Sequence, residues 1–148
     1  MGKKIKLAVF VLVGLVAVVQ LIQPNRTNPS SDPAVSFETL AKPPAPVKDI
    51  VGRSCMDCHS NQTVWPWYSR VAPASWLVVH DVSEAREVLN FSQWGRMSPE
   101  KQLQALRNMC EDVKDGDMPP FQYKLIHRAA ALQPDEVAAL CQFTSRTH

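Results

Sequence analysis

The chain has 148 residues, 20% of them charged, with 16 Lys+Arg against 14 Asp+Glu and a formal net charge of +2. Setting aside Lys3, Lys4 and Lys6 leaves 13 basic against 14 acidic groups, or −1, which excludes a basic face for nucleic acid. No internal repeat is present, and the length behind the N-terminal segment suits one domain with a modest core.

Residues 1–23 form a targeting element. The three lysines precede an apolar run over residues 7–22, interrupted only by Gly14 and Gln20. As a helix this run rises about 24 Å, slightly short for a bilayer core, with Ile5 and snorkelling lysines making up the difference. The flank Gln20-Leu21-Ile22-Gln23-Pro24 lacks the small-x-small residues of a signal-peptidase site, which favours a retained transmembrane anchor over a cleaved signal. Both alternatives carry the rest of the chain out of the cytoplasm, because the lysines stay inside. In a bacterium the expected product is a single-pass inner-membrane protein whose domain faces the periplasm, or a secreted periplasmic protein if the signal is cleaved.

Residues 24–46 hold six of the 12 prolines, mixed with Asn, Ser and Thr. Such a segment is expected to stay extended as a tether of about 70 Å at full stretch. The folded domain is then residues 47–148. It opens on an amphipathic helix, in which Val47, Ile50, Val51, Cys55 and Cys58 recur at three- and four-residue steps.

That helix leads into Cys55-Met56-Asp57-Cys58-His59, a CxxCH pentapeptide and the attachment signature of c-type haem. Two cysteines three apart lie on nearly one side of a helical turn, so both reach one porphyrin edge as thioethers while the adjacent imidazole takes the iron. Two other chemistries use CxxC. A thioredoxin-like pair follows an apolar strand in a βαβ unit, whereas Val47-Lys48-Asp49-Ile50-Val51-Gly52-Arg53 precedes this one. Zinc wants a second ligand pair, and Cys110 and Cys141 are solitary, 31 residues apart. One covalent haem c per chain is the reading that the pentapeptide favours.

Next comes an aromatic loop over residues 61–70, whose Trp-Pro-Trp centre resists helix because proline disfavours the α region before it. Trp65, Trp67 and Tyr68, directly after the ligand histidine, suit a wall of the haem pocket; ordinary core packing is the alternative, and both can hold. A helix is expected from Pro73 through His80, continuing or restarting over residues 83–89, followed by a packed loop over residues 90–95. Ser98-Pro99-Glu100 signals another helix start, Leu103, Leu106, Met109, Cys110 and Val113 form its apolar stripe, and Gly116 ends it. A last helix begins near Pro134 and buries Val137, Leu140 and Cys141. No segment alternates like a strand, so the fold class is all-α.

The sixth iron position has several candidates. Met118 sits in a proline-stiffened loop 59 residues after His59, and a thioether there gives the His/Met pair of electron-transfer cytochromes. His80 and His127 are rivals, each beside apolar residues, where a lone histidine is more often hydrogen-bonded packing or a propionate partner. An open or water-ligated site is the remaining alternative. Met97 and Met109 read as core, and His148, at the terminus, is expected to be disordered. Cys110 and Cys141 lie on apolar faces of two helices in a compartment that permits disulfides, so they form either a bridge or two separate buried thiols.

Together the order Cys55-x-x-Cys58-His59-Ser60-Asn61, Thr63-x-Trp65-Pro66-Trp67-Tyr68-Ser69, Pro73-x-x-Trp76, His80, Leu89-Asn90-Phe91-Ser92-x-Trp94, Met118-Pro119, Tyr123 and His127 resembles the bacterial haem-binding domain family. These are small c-type cytochrome-like domains, usually behind one N-terminal anchor. The resemblance implies covalent haem on Cys55 and Cys58, His59 as proximal ligand, Met118 as distal ligand, and a cytochrome c-like helical fold. Gln133 departs from it, standing where the family tends to cap its last helix with serine or threonine. The expected function is a membrane-tethered carrier of single electrons between redox partner proteins, not an enzyme. Its rivals are a haem enzyme or gas sensor with a vacant or displaceable sixth ligand, and a haem-bearing assembly subunit.

Overall fold

The computed structural model describes residues 2–146, and among them the chain forms seven α-helices and no strand. His148 lies outside the described residues. Helix α1 (Lys3–Val19) is apolar all round from Leu7 onwards and exposed along nearly its whole length. Among the described residues no helix is long and apolar enough to cross a membrane.

Residues 24–46 differ from the free tether expected of them. Ser36 caps a short helix α2 (Phe37–Ala41), its hydroxyl accepting from the Thr39 N–H at 3.3 Å. Phe37 is only 3% exposed and packs against Phe91 and edge-on against Trp94, with ring centroids 5.0 and 4.8 Å away. Upstream, the Arg26 guanidinium donates to the Ser69 carbonyl and the Asn61 amide donates to the Ser30 carbonyl, each at 3.0 Å. The physical reason is that prolines restrict the unfolded chain, so less entropy is lost on ordering it, and one buried phenyl ring contributes about 2–3 kcal/mol. Gly95 admits the segment: a Cβ there would stand 2.5 Å from Leu40 Cδ1.

Helices α3 (Ala45–Ser54), α4 (Ala74–Val88), α5 (Pro99–Asp115), α6 (Phe121–Ile126) and α7 (Pro134–Arg146) complete the chain. The start expected at Pro73 leads into one unbroken α4. Ser98 Oγ accepts from the Lys101 N–H at the start of α5, and Gly116 ends it at φ 80°, a left-handed conformation that glycine adopts without strain. At α7 Glu136 supplies half of a capping box, its carboxylate accepting from the Gln133 N–H at 2.8 Å. The loop expected over residues 90–95 is a 3-10 segment, Phe91–Arg96, that buries Phe91 and Trp94.

The core closes where α3, α5, α7 and the 91–96 segment meet, around Val47, Val51, Phe91, Trp94, Leu106 and Leu140. Arg53 pins the end of α3 to α7, donating to the Ala129 carbonyl at 2.9 Å and pairing with the Glu136 carboxylate. Cys110 and Cys141 are bridged, joining α5 to α7. A bridge spanning 31 residues removes loop entropy from the unfolded chain. Replacing both cysteines by alanine is expected to cost about 3–4 kcal/mol in a denaturant titration, and a loss below about 1 kcal/mol would show that packing alone holds the two helices.

Candidate functional site

The CxxCH turn begins where α3 runs out. The N–H groups of Cys55 and Met56 both donate to the Val51 carbonyl at 3.0 Å, and the His59 N–H donates to the Cys55 carbonyl at 2.9 Å, so the pentapeptide winds as a compact turn. Cys55 and Cys58 are free thiols, both half-buried. Burial pushes the Cys55 thiol up to about 12, reinforced by Cys58, and the Cys58 thiol up to about 11, reinforced by Asp57 and Asp81. Both are therefore protonated at neutral pH. In the haem-free chain, alkylation of Cys58 at pH 8 is expected to run roughly a hundredfold slower in the fold than in denaturant. Equal rates would mean that the turn is open to solvent.

His59 is oriented by α4. Its Nδ1 faces the carbonyl oxygens of Ala85 at 3.0 Å and Leu89 at 3.1 Å. Carbonyls only accept, so Nδ1 carries the proton, and Nε2 is left with a free lone pair. Desolvation lowers the imidazole pKa below its usual value, against smaller opposing effects from those carbonyls and from Asp112, so the ring stays neutral. A neutral imidazole whose second nitrogen is held by backbone carbonyls is the usual state of a metal-ligating histidine.

Asp57, inside the motif, ties the turn to the segments after it. Its carboxylate accepts from the Val64 N–H at 3.0 Å and from the Tyr123 hydroxyl at 2.9 Å. Tyr123 stacks on His127 at 4.3 Å between centroids, and the Tyr68 hydroxyl meets His127 Nε2 at 2.7 Å. Burial raises the Tyr68 phenol pKa, and Tyr68 lies close enough to Cys58 and Asp57 for their negative charges, Cys58 when ionised, to add to it. Cys58, Tyr68, Tyr123 and His127 thus share one neighbourhood. His80 is elsewhere, exposed on α4 and 3.4 Å from Glu84.

Met118 lies in the turn between α5 and α6 and is 37% exposed. Its N–H donates to the Asp112 carbonyl at 3.1 Å, and the Asp112 side chain is near enough to His59 to act on its proton affinity. Trp67 is 76% exposed, edge-on to Tyr68. Trp65 is half-buried beneath the Arg86 guanidinium, 6.0 Å from the ring centroid. Its indole N–H is buried and has no partner within the protein. Residues and group fit: two adjacent thiols, a pre-oriented imidazole nitrogen, and a buried donor suited to a carboxylate such as a haem propionate.

Two residues of this site were not foreseen. Arg86 donates to the Ser60 carbonyl at 2.7 Å, to Thr63 Oγ1 at 2.8 Å and to the Thr27 carbonyl at 3.0 Å, clamping the motif's exit to the segment before α2. An arginine on an otherwise polar helical stretch carries no mark of that role. Asp57 was visible only as one of the two residues between the cysteines.

No curated protein and no solved structure matches the chain. The model of one protein family, described as Haem-binding domain, matches residues 14–146 and so takes in the CxxCH turn, the aromatic loop, Met118 and α7. The chain belongs to the haem-binding domain family.

Proposed function

We propose that the protein is a membrane-anchored, single-haem cytochrome of the c type that passes single electrons between periplasmic partner proteins. The observation that carries this reading is the His59 imidazole, neutral, with Nδ1–H held by the Ala85 and Leu89 carbonyls and Nε2 available. Bound haem supplies the one-electron chemistry. Cys55 and Cys58 would hold it by thioether bonds, His59 and Met118 would ligate the iron, and the Trp65 indole N–H would donate to a propionate. His127 is engaged by Tyr68 and Tyr123, and His80 by Glu84, which leaves Met118 as the side chain with no competing duty. The exposed apolar wall of α1 wants an apolar surrounding, which supports anchoring in the bacterial inner membrane with Lys3, Lys4 and Lys6 inside.

An absorption spectrum of the haem-loaded protein tests the ligand pair. Ferric protein is expected to show the sulfur-to-iron charge-transfer band, and Met118→Ala to abolish it while His80→Ala and His127→Ala keep it. A band that survives Met118→Ala would assign the sixth position to another residue. The exposure of Met118 favours one second reading, a sensor or enzyme whose sixth ligand is displaced. Rapid carbon monoxide binding to the reduced protein would establish that reading, and refusal supports the carrier.

A further inference from the structure

We infer that the face formed by Val71, Trp76 and Leu77 beds into the lipid interface at the outer end of α1, so that the domain sits on the bilayer in one orientation. This rests on the membrane anchoring of α1 proposed above and adds to it a second contact, made by the folded domain itself.

The argument begins with length. α1 has 17 residues and rises about 26 Å, short of a hydrocarbon core of about 30 Å. A short helix draws flanking apolar groups towards the bilayer. What flanks α1 is fixed by hydrogen bonds: the Gln20 side-chain amide donates to the Arg70 carbonyl at 2.6 Å and its carbonyl accepts from the Ala72 N–H at 3.0 Å. The Trp76 indole N–H then donates to the Ile22 carbonyl at 2.7 Å. These three bonds lay the exit of α1 along residues 70–76.

The side chains on either side of that seam are apolar and exposed. Val71 is 44% exposed, Trp76 39% and Leu77 52%, and Leu21 and Ile22, the latter bonded to Trp76, are exposed as well. A tryptophan whose N–H is satisfied and whose ring stays open is the side chain most often found at the headgroup level, and the exposed Arg70 beside it suits lipid phosphate. Lipid is the occupant these observations favour, because the face begins at the residues where the inserted helix ends. Nor can the domain swing clear, since Arg26 bonds the Ser69 carbonyl and Asn28 the Thr63 carbonyl just downstream of Ile22.

The test uses full-length haem-loaded protein in vesicles of phosphatidylethanolamine and phosphatidylglycerol. Single variants Val71→Cys, Leu77→Cys and Val88→Cys are exposed to a charged maleimide, and labelling is read peptide by peptide by mass spectrometry. Val88 is an even more exposed apolar residue, at the far end of α4. Labelling at positions 71 and 77 is expected to be on the order of tenfold slower than at 88. Equal rates in vesicles overturn the inference if Leu12→Cys in α1 remains protected, because the anchor is then in place without the domain face. Free labelling of Leu12→Cys would overturn the anchoring itself and the inference with it.

Discussion

His59→Ala is expected to convert the haem-loaded protein from a low-spin to a high-spin ferric spectrum while leaving haem on the chain. In the proposed reading different side chains supply the two properties: the Cys55 and Cys58 thiols, free in this structure, would hold the porphyrin edge, whereas the His59 Nε2 is pre-aimed from the motif. Added imidazole is expected to restore the low-spin spectrum, because it replaces the missing nitrogen in the space the side chain vacates. Stability falls as well, by about 1–3 kcal/mol, since the Ala85 and Leu89 carbonyls lose the donor that reached them from the motif. An unchanged spectrum in His59→Ala would remove the imidazole from the site. Tyr68→Phe serves as the control, because it disturbs only the contact with His127 and is expected to keep the low-spin spectrum.

Phe37→Ala carries the largest expected cost to the fold itself. The ring is 3% exposed and touches Phe91, Trp94 and Phe143, so its loss combines transfer energy with an unfilled cavity. A drop of about 3–5 kcal/mol in denaturant titration is expected. With Phe37 gone, residues 24–41 should become the site of earliest proteolytic cleavage, because the caps of α2 cannot hold a five-residue helix alone. The effect should reach the CxxCH turn, since Phe91 packs on both Phe37 and the His59 ring and its N–H donates to the His59 carbonyl at 2.8 Å. A cost below about 1 kcal/mol would mean that the segment before α3 is a free tether after all.

Much of the fold is local and therefore legible. Ser98, Pro99 and Gly116 bound α5 because capping and left-handed φ are properties of single residues, and Leu106, Met109 and Val113 declare its buried face by their spacing. The all-α class follows from the absence of any alternating segment. The site is legible where chemistry demands adjacency, in Cys55, Cys58 and His59. What stays hidden depends on contacts across the chain. Phe37 stands in a stretch rich in proline and serine, and nothing within ten residues of it shows that Gly95 leaves its neighbours Leu40 and Val35 a place to dock. The role of Arg86 exists only because the Ser60 carbonyl and Thr63 are brought to it by the turn that follows the motif. α6 (Phe121–Ile126) is six residues long with no side-chain cap, too short for periodicity to declare.

Covalent attachment is the property on which the electron-carrier reading stands. Intact mass spectrometry of the mature polypeptide from a host with c-type maturation measures it directly. One added haem per chain is expected, mapped to the peptide carrying Cys55 and Cys58 and lost in the Cys55→Ala, Cys58→Ala double variant. A mature chain at its unmodified mass, with both thiols free to alkylation in denaturant, would contradict it.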